Sequence, residues 1–310
     1  MWRRYALTVG LPHTNHRNLA EARLLMEAGH AFWSALGEAI GTPVSRLRSA
    51  AGSSVYATIF FVEERYPAGR TLDTFLLDER LWLVVGIRSV SRLSTEAAIA
   101  FDTQERLGQD ADPDESWWAM DAPPHPLLRF GSLFAGPDPS TGQLKVAAPS
   151  SAELAGLSPL AAGGGVSPIA RHGKDTGRLG VIPDEWPSAG PAGAVETAYV
   201  IDPDRDTNAT GLVYFANFVA LAELGERLAV GALAGPDANR QAQAAKSRRV
   251  LWRRVAYYEQ AAPSERVTIA ASGFAPAQRS PTLGLRVQIS RERDGALLSL
   301  SESRLALSWP

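Results

Sequence analysis

Two parts of this chain repeat each other at a fixed spacing. A shift of 196 positions lays Glu223-Leu-Gly225 on Glu27-Ala-Gly29, Ala261-Ala-Pro263 on Arg65-Tyr-Pro67 and Arg266 on Arg70. The same ungapped shift lays LWRRVAYYEQ (251–260) on VYATIFFVEE (55–64), and the register blurs after residue 80. A shift that keeps helix and strand patterns in phase points to duplication of one structural unit. Each half of the chain must then build the same small fold, and the halves must pair.

The order of elements within each copy narrows that fold. In the second copy VETAYVID (195–202) reads as a strand, and residues 212–230 as a helix with Phe215, Phe218, Val219, Ala222 and Leu224 on a wide apolar face. VLWRRVAYYE, RVTIAASGFA, LGLRVQISRE and ALLSLSESRLAL follow as strands, separated by turn residues such as Ala262-Pro-Ser264 and Arg293-Asp-Gly295. In the first copy WRRYALTVG, a helix over Asn18 to Ala39, VYATIFFVEE, TLDTFLL, RLWLVVGIRSVSRL and AIAFDTQERL take the same parts. One strand, one long helix and four strands curling round it make a hotdog unit. The chain is therefore expected to be α+β, a double hotdog of two tandem units. Composition divides it into an N-terminal hotdog (1–108), a Pro/Gly/Ala-rich and partly irregular connector (109–194) and a C-terminal hotdog (195–310). Within the connector, Trp117, Trp118, Leu127, Leu128 and Phe130 are apolar enough to drape over a neighbouring surface.

Composition also excludes several classes. The 310 residues contain no cysteine, which removes disulfides, thiolate metal sites and a cysteine nucleophile. A net charge of −2 gives no broad basic field for nucleic acid. No apolar run is long enough to span a membrane, and MWRRYALTVGLPH breaks at Gly10 and Pro12, so a cytoplasmic location is expected. His13 and His16 form H-x-x-H in a loop with no third ligand, so no metal site is expected. No Gly-rich dinucleotide loop, phosphate loop or G-x-S-x-G elbow occurs.

The chemistry-bearing stretch is RDTNATGLVYFANFVALAELGER (205–227), a polar loop running straight into an apolar helix. A helix N-terminus offers unpaired N–H groups and a partial positive charge, so the amides around Gly211, Leu212 and Val213 can receive an oxygen that turns anionic. Asp206, Thr207 and Thr210 either contact a ligand there or cap the helix. Tyr214 suits a core or pocket wall. Glu27 and Glu223 each interrupt an apolar helix face, so each meets a buried partner, faces a pocket or points to solvent. Arg92, in IRSVSRLS (87–94), can hold a substrate carboxylate or phosphate, or make a surface ion pair.

DTNATGLVYFANFVALAELGER resembles the acyl-thioester hotdog signature, with its acidic residue, Gly, V-Y and later Glu at the start of the central helix. The first copy, GLPHTNHRNLAEARLLMEAGHAFW with VYATIFF, resembles the bifunctional decarboxylase/acyltransferases of polyketide pathways of the leinamycin type. The matching features are Pro12, Leu19-Ala-Glu21, Leu24-Leu-Met-Glu27-Ala-Gly29 and Phe32-Trp33. That resemblance implies decarboxylation of a methylmalonyl- or malonyl-type thioester and acyl transfer to an acyl carrier protein. No cofactor is implied beyond the CoA or phosphopantetheine thioester that is the substrate. It places the active-site tyrosine at Tyr56. The hydrolytic hotdog pattern places its loop acid at Asn208, and an amide serves neither as general base nor as nucleophile, although it can donate to an enolate. Asp206 takes the base role if the loop is shifted, and Glu223, at the helix glutamate of some thioesterases, keeps hydrolysis as the alternative. A non-catalytic acyl-thioester binding protein is the other alternative. Sheet extension inside one chain satisfies hotdog pairing, so a monomer and a homodimer of double units are both compatible with it.

Overall fold

The computed structural model describes residues 2–16, 18–108, 115–118, 123–138, 144–150, 154, 156–160, 165–190, 193–208, 211–276 and 280–308. The first unit runs β1 (Trp2–Thr8), α1 (Glu21–Ile40), β2 (Tyr56–Arg65), β3 (Arg80–Ser91), β4 (Ser94–Thr103) and β5 (Leu127–Pro137). Helix α2 (Ser167–Thr176) lies between the units. The second unit runs β6 (Ala194–Val200), α3 (Phe215–Leu233), α4 (Ala238–Ser247), β7 (Arg249–Tyr257), β8 (Arg266–Phe274), β9 (Thr282–Arg291) and β10 (Leu297–Ala306).

All ten strands join one antiparallel sheet in the order β1-β3-β4-β5-β2-β7-β10-β9-β8-β6, and a short strand, Leu144–Val146, pairs with the end of β5. The order is palindromic about β2 and β7, which pair from Arg65 opposite Trp252 to Phe61 opposite Ala256. Each unit thus contributes the same five-strand path, and the two edges that would be open in isolated units close on each other. Helices α1 and α3 lie against one another on the inner face of this sheet, over the main apolar core. The double hotdog read from the sequence is the fold of this chain.

Three details differ from the sequence reading. TLDTFLL is not a strand: Leu72–Thr74 form a single turn of 3-10 helix. The strand that completes the first unit is β5, which lies in the stretch expected to be connector, so Leu127, Leu128 and Phe130 are strand residues rather than a drape. Trp117 and Trp118 do cover a neighbour, packing edge-on and tilted against Trp2 at ring separations of 5.6 and 6.0 Å.

The third difference is the register of the duplication. Equivalent elements begin 192 (Trp2 and Ala194), 194 (Glu21 and Phe215) and 193 (Tyr56 and Arg249) positions apart, three or so fewer than the shift of 196. Local environments agree with 193. Phe32 faces its own sheet beside Phe130, and Gly225 (32 + 193) faces its own sheet, where a Cβ would lie 3.0 Å from Ile269. Gly29 instead faces the other unit, where a Cβ would lie 3.0 Å from the Phe215 ring. Glu27 and Glu223 are therefore not equivalent; the recurrence of E-x-G in both helices pulled the alignment out of phase.

The outer face of the sheet is covered by the segment around α2. Two buried carboxylates fasten it: Glu96 accepts the Val166 N–H at 2.6 Å and Glu302 accepts the Val181 N–H at 3.1 Å. Each also pairs with an arginine of the sheet, Arg129 and Arg286 respectively, so neither is buried without a counter-charge. Val166, Ala170 and Leu179 then pack on Phe61, Ala256 and Leu300, across the seam between β2 and β7.

Candidate active site

A cavity of about 310 Å³ opens where the loop before α3 meets α1 and the first residues of β2. Its geometry begins with Asp202, whose carboxylate accepts the N–H groups of Asp204 and Arg205 and starts the single turn Pro203–Asp206. That turn directs Asp206 inward. Its carboxylate accepts from the Tyr199 hydroxyl at 2.6 Å and the Asp202 N–H at 2.9 Å, and its main-chain oxygen accepts from Tyr214 and Asn217. Burial and the bond to Asp206 raise the Tyr199 phenol above its usual pKa. Asp206 is a structural anchor, away from the cavity lining.

From this anchor the chain makes a tight hairpin. Thr207 stands opposite Val213, Asn208 N–H donates to the Leu212 oxygen at 2.8 Å, and Gly211 N–H donates to the Asn208 oxygen at 2.9 Å. Gly211 adopts φ = 76°, a region glycine enters without steric cost, which closes the turn. The Asn208 side chain accepts the Leu212 N–H at 3.3 Å, and the Thr207 hydroxyl donates to the Pro203 oxygen. Thr210 lies outside the described residues. The hairpin delivers the chain to Phe215, where α3 starts with no side-chain cap; Phe215 lines the cavity, while the Asn217 N–H donates to the Tyr214 oxygen at 2.8 Å.

The cavity has an apolar floor and a polar rim. Ala57, Ile59, Val213 and Phe215 form its buried base, with Trp33 and Tyr214 as walls. Ser45, Tyr56, Thr58, Asn208 and Gln260 supply the polar groups. The Tyr56 hydroxyl has no hydrogen-bond partner among the described residues. Thr58 donates to the Leu133 oxygen at 2.9 Å, and the Trp33 indole N–H donates to the Ala57 oxygen at 2.9 Å. Tyr214 has its phenol raised by burial and by the charge of Glu27. Among the described lining residues there is no carboxylate, histidine, lysine or arginine.

The structure thus gathers Tyr56, Asn208, Leu212, Val213 and Tyr214 at one cavity, with Gly211 in its hairpin; the Gly211 and Leu212 N–H groups, expected to receive an anionic oxygen, instead donate to the main-chain and side-chain oxygens of Asn208, and other expected residues lie elsewhere. Arg92 is exposed in the turn between β3 and β4. Glu27 is half-exposed, 3.5 Å from His13 Nε2, and His13 Nδ1 accepts the Gly10 N–H at 2.9 Å. Glu223 is not a cavity residue: it is buried against Arg248, whose guanidinium also donates to the Glu223 main-chain oxygen at 3.1 Å. Ser45, Thr58 and Gln260 were not anticipated. Neither was the wall position of Trp33, which the sequence marks only as part of Phe32-Trp33 at the end of a helical pattern.

The duplication supplies a mirror of this site, and the mirror is closed. A shift of 193 carries Trp33 to Glu226, Tyr56 to Arg249 and, in reverse, Tyr214 to Glu21. Only about 20 Å³ remains there, beside Leu19, Glu21, Arg248 and Arg249. Buried ions fill the space. Arg253 donates to Glu226 at 2.6 and 3.1 Å and pairs with Glu21; Glu226 also accepts from the Ser303 hydroxyl at 2.6 Å. The two arginines beside Glu226 hold its carboxyl down to about 2 against the effect of burial. Burial raises Glu21 and Glu64, which lie close together with Arg253 between the units.

Solved structures with the same fold span the whole chain. A Lactobacillus plantarum protein designated an oleoyl thioesterase superposes with a TM-score of 0.62 at 10% identity, covering 100% of this chain and 97% of its own. The 12:0-ACP thioesterase of Umbellularia californica gives 0.60 at 8% identity, with 99% and 94% covered. An acyl-ACP thioesterase of Bacteroides thetaiotaomicron gives 0.58 at 10%, with 98% and 97% covered. No protein-family model and no curated protein matches the sequence. The likeness at these identities is one of fold. No described helix is long and apolar enough to cross a membrane.

Proposed function

We propose that the chain is an acyl-thioester hydrolase that binds the acyl group of a CoA or carrier-linked pantetheine thioester in the cavity beside α3. The observation that carries this reading is the cavity itself: an apolar floor beneath a polar rim, set at the uncapped N-terminus of α3 where the two units meet. The full-length resemblance to three double hotdogs named as thioesterases supports it.

The chemistry asked of the protein is modest. A thiolate with an ordinary thiol pKa near 8.5 leaves without a strong acid behind it, so the barrier lies in water addition and charge build-up on the carbonyl oxygen. The Phe215 amide at the start of α3 can receive that oxygen, while Asn208, Gln260 and the Tyr56 hydroxyl can orient water. With no carboxylate or imidazole among the described lining residues, the attacking water is deprotonated by solvent hydroxide. Turnover is therefore slow, and log kcat/KM rises with pH without an enzymatic carboxylate step. Free-thiol release from octanoyl-CoA by the full chain tests the reading. Saturable release above background, lost when Phe215 is replaced by Asp, is expected; release no faster than buffer at any pH overturns it.

A second reading keeps its own observation. Tyr56 stands on the cavity rim with no partner among the described residues, at the position where the decarboxylase/acyltransferase resemblance expects the active-site tyrosine. Attack by its phenolate oxygen, the phenol proton having gone to solvent, on a methylmalonyl thioester would expel CoA thiolate and leave a methylmalonyl ester on Tyr56; loss of CO2 would then leave an enolate that takes a proton from water to give the propionyl ester. Mass spectrometry of protein incubated with methylmalonyl-CoA distinguishes the readings. An adduct absent from Tyr56→Phe supports transfer; free acid without adduct supports hydrolysis.

A further inference from the structure

We propose that Trp33 is the acyl-chain stop of this cavity and limits its substrates to apolar acyl groups of about eight carbons or fewer. The inference deepens the reading that the cavity holds the acyl part of a thioester. Space sets the limit first. A volume of about 310 Å³ holds roughly ten heavy atoms at about 30 Å³ each, and the carbonyl oxygen and the sulfur use two of these positions, which leaves about eight for acyl carbons. The walls decide the character of the chain: no charged side chain is among the described lining residues, and the most buried of them are Ala57, Ile59, Val213 and Phe215.

What stops the chain is an aromatic wall between the helices. Trp33 packs edge-on to Phe215 at 6.2 Å and beside Tyr214 at 6.1 Å. Behind them Phe215 meets Phe130 at 5.7 Å, and Phe130 meets Phe32 at 6.2 Å. Phe32 and Phe130 are fully buried, so no free space continues past the wall in the direction of the core. Trp33 is the wall residue that is fixed by polarity as well as by shape. Its indole N–H is tied to the Ala57 oxygen of β2, which holds the ring across the cavity and denies an incoming chain the alternative rotamer that would let it pass. The mirror site shows what the position is able to do: the equivalent residue, Glu226, closes its space with ions rather than with a ring.

Binding of S-alkyl-CoA thioethers, which cannot be hydrolysed, tests the stop directly by titration calorimetry. For the wild-type chain the dissociation constant is expected to fall about fourfold per added methylene up to about eight carbons and then to level off or rise. Trp33→Ala should move that break at least two carbons longer, and Trp33→Phe, which keeps a ring but not the tie to Ala57, should move it less. Near-UV circular dichroism checks that each variant is folded. A wild-type series that tightens steadily to fourteen carbons, an unmoved break in folded Trp33→Ala or Trp33→Phe, or no binding at any length overturns the proposal. A break that moves in a protein releasing no thiol from acyl-CoA upholds the stop and discards hydrolysis, so the two failures are separable.

Discussion

Replacing Arg253 with Met removes the centre of the buried ion cluster and should destabilise the chain by about 3–5 kcal/mol, the usual cost of stripping one partner from a buried pair. The size follows from the carboxylates that Arg253 neutralises. Arg253 is fully buried and gives Glu226 two hydrogen bonds at 2.6 and 3.1 Å and Glu21 one at 3.3 Å. Without it Glu226 keeps the Ser303 hydroxyl at 2.6 Å and Arg248 at 3.7 Å, too little to compensate a buried carboxylate. Glu21 adds less to the cost, because its pKa is already raised by burial and it can take up a proton instead. Equilibrium urea unfolding at pH 7 reads the change as a lowered midpoint at constant slope. A companion triple variant, Arg253→Met with Glu226→Met and Glu21→Leu, should recover most of the loss, since a well-packed apolar cluster replaces a buried ion network at little cost. A single variant within about 1 kcal/mol of the parent, or a triple no better than the single, would refute the reasoning and mean that water reaches these charges.

The same cluster gives stability a two-sided pH dependence. Glu226 has its carboxyl depressed to about 2, so the stability it contributes is present above the unfolded value near 4.5 and is lost as pH falls towards 2; Glu226→Gln should flatten the acid limb of a denaturation midpoint measured against pH. Glu64 is raised, so its contribution is full below about 4.5 and is lost as pH rises through its folded value, and Glu64→Gln, able still to accept from the Tyr66 hydroxyl, should remove that alkaline decline. Gly29→Ala places a methyl 3.0 Å from the Phe215 ring and 3.2 Å from the Tyr214 hydroxyl, which must give way towards the cavity; a cost of about 1–3 kcal/mol in urea unfolding and weaker alkyl-CoA binding should accompany each other. Asn208→Asp keeps the acceptor for the Leu212 N–H and adds a rim carboxylate, so hydrolysis of octanoyl-CoA should rise by about tenfold or more with a new acidic pKa in the rate profile; an unchanged profile would place residue 208 out of reach of the attacked carbon.

The sequence carried the fold well because its signals were redundant. Two helices with broad apolar faces and strands bounded by turn residues recur in one order, and any one boundary can be wrong without changing the topology. It failed where a signal was single. β5 carries the apolar run LLRFGSLFAGP, yet Pro, Gly and Ala on both sides made it read as part of an irregular linker; only the unpaired ladders of β4 and β2 require a strand there. TLDTFLL is short and apolar enough to read as a strand, but the Thr71 hydroxyl donates to the Asp73 carboxylate and the segment curls into a turn. At the site, local chemistry was legible and partnership was not. A polar loop before an apolar helix marks Asn208 to Tyr214 as a helix mouth, but no local pattern says that Asp206 will spend its carboxylate on Tyr199 or that Glu223 will meet Arg248.

Duplication explains why partnership was the hidden quantity. Two equal units generate two equal mouths, and each must be filled or used, because an uncapped helix end over an apolar floor is costly to leave empty beside a core. The chain resolved its mouths in opposite ways with substitutions at equivalent positions: Glu21, Glu226 and Arg249 at one, Tyr214, Trp33 and Tyr56 at the other. Charges that compensate one another close the first to about 20 Å³, whereas the second, walled by packed rings with Trp33 tied to the Ala57 oxygen, stays open at about 310 Å³. Because the ionic mouth draws Glu21 and Glu64 from the first unit and Arg253 and Glu226 from the second, it also clamps the seam on which the open mouth is built. Of the acids that sequence reading offered for catalysis, Asp206 and Glu223 are thus spent on Tyr199 and Arg248 of their own unit, and the polar groups left at the cavity are hydroxyl and amide side chains.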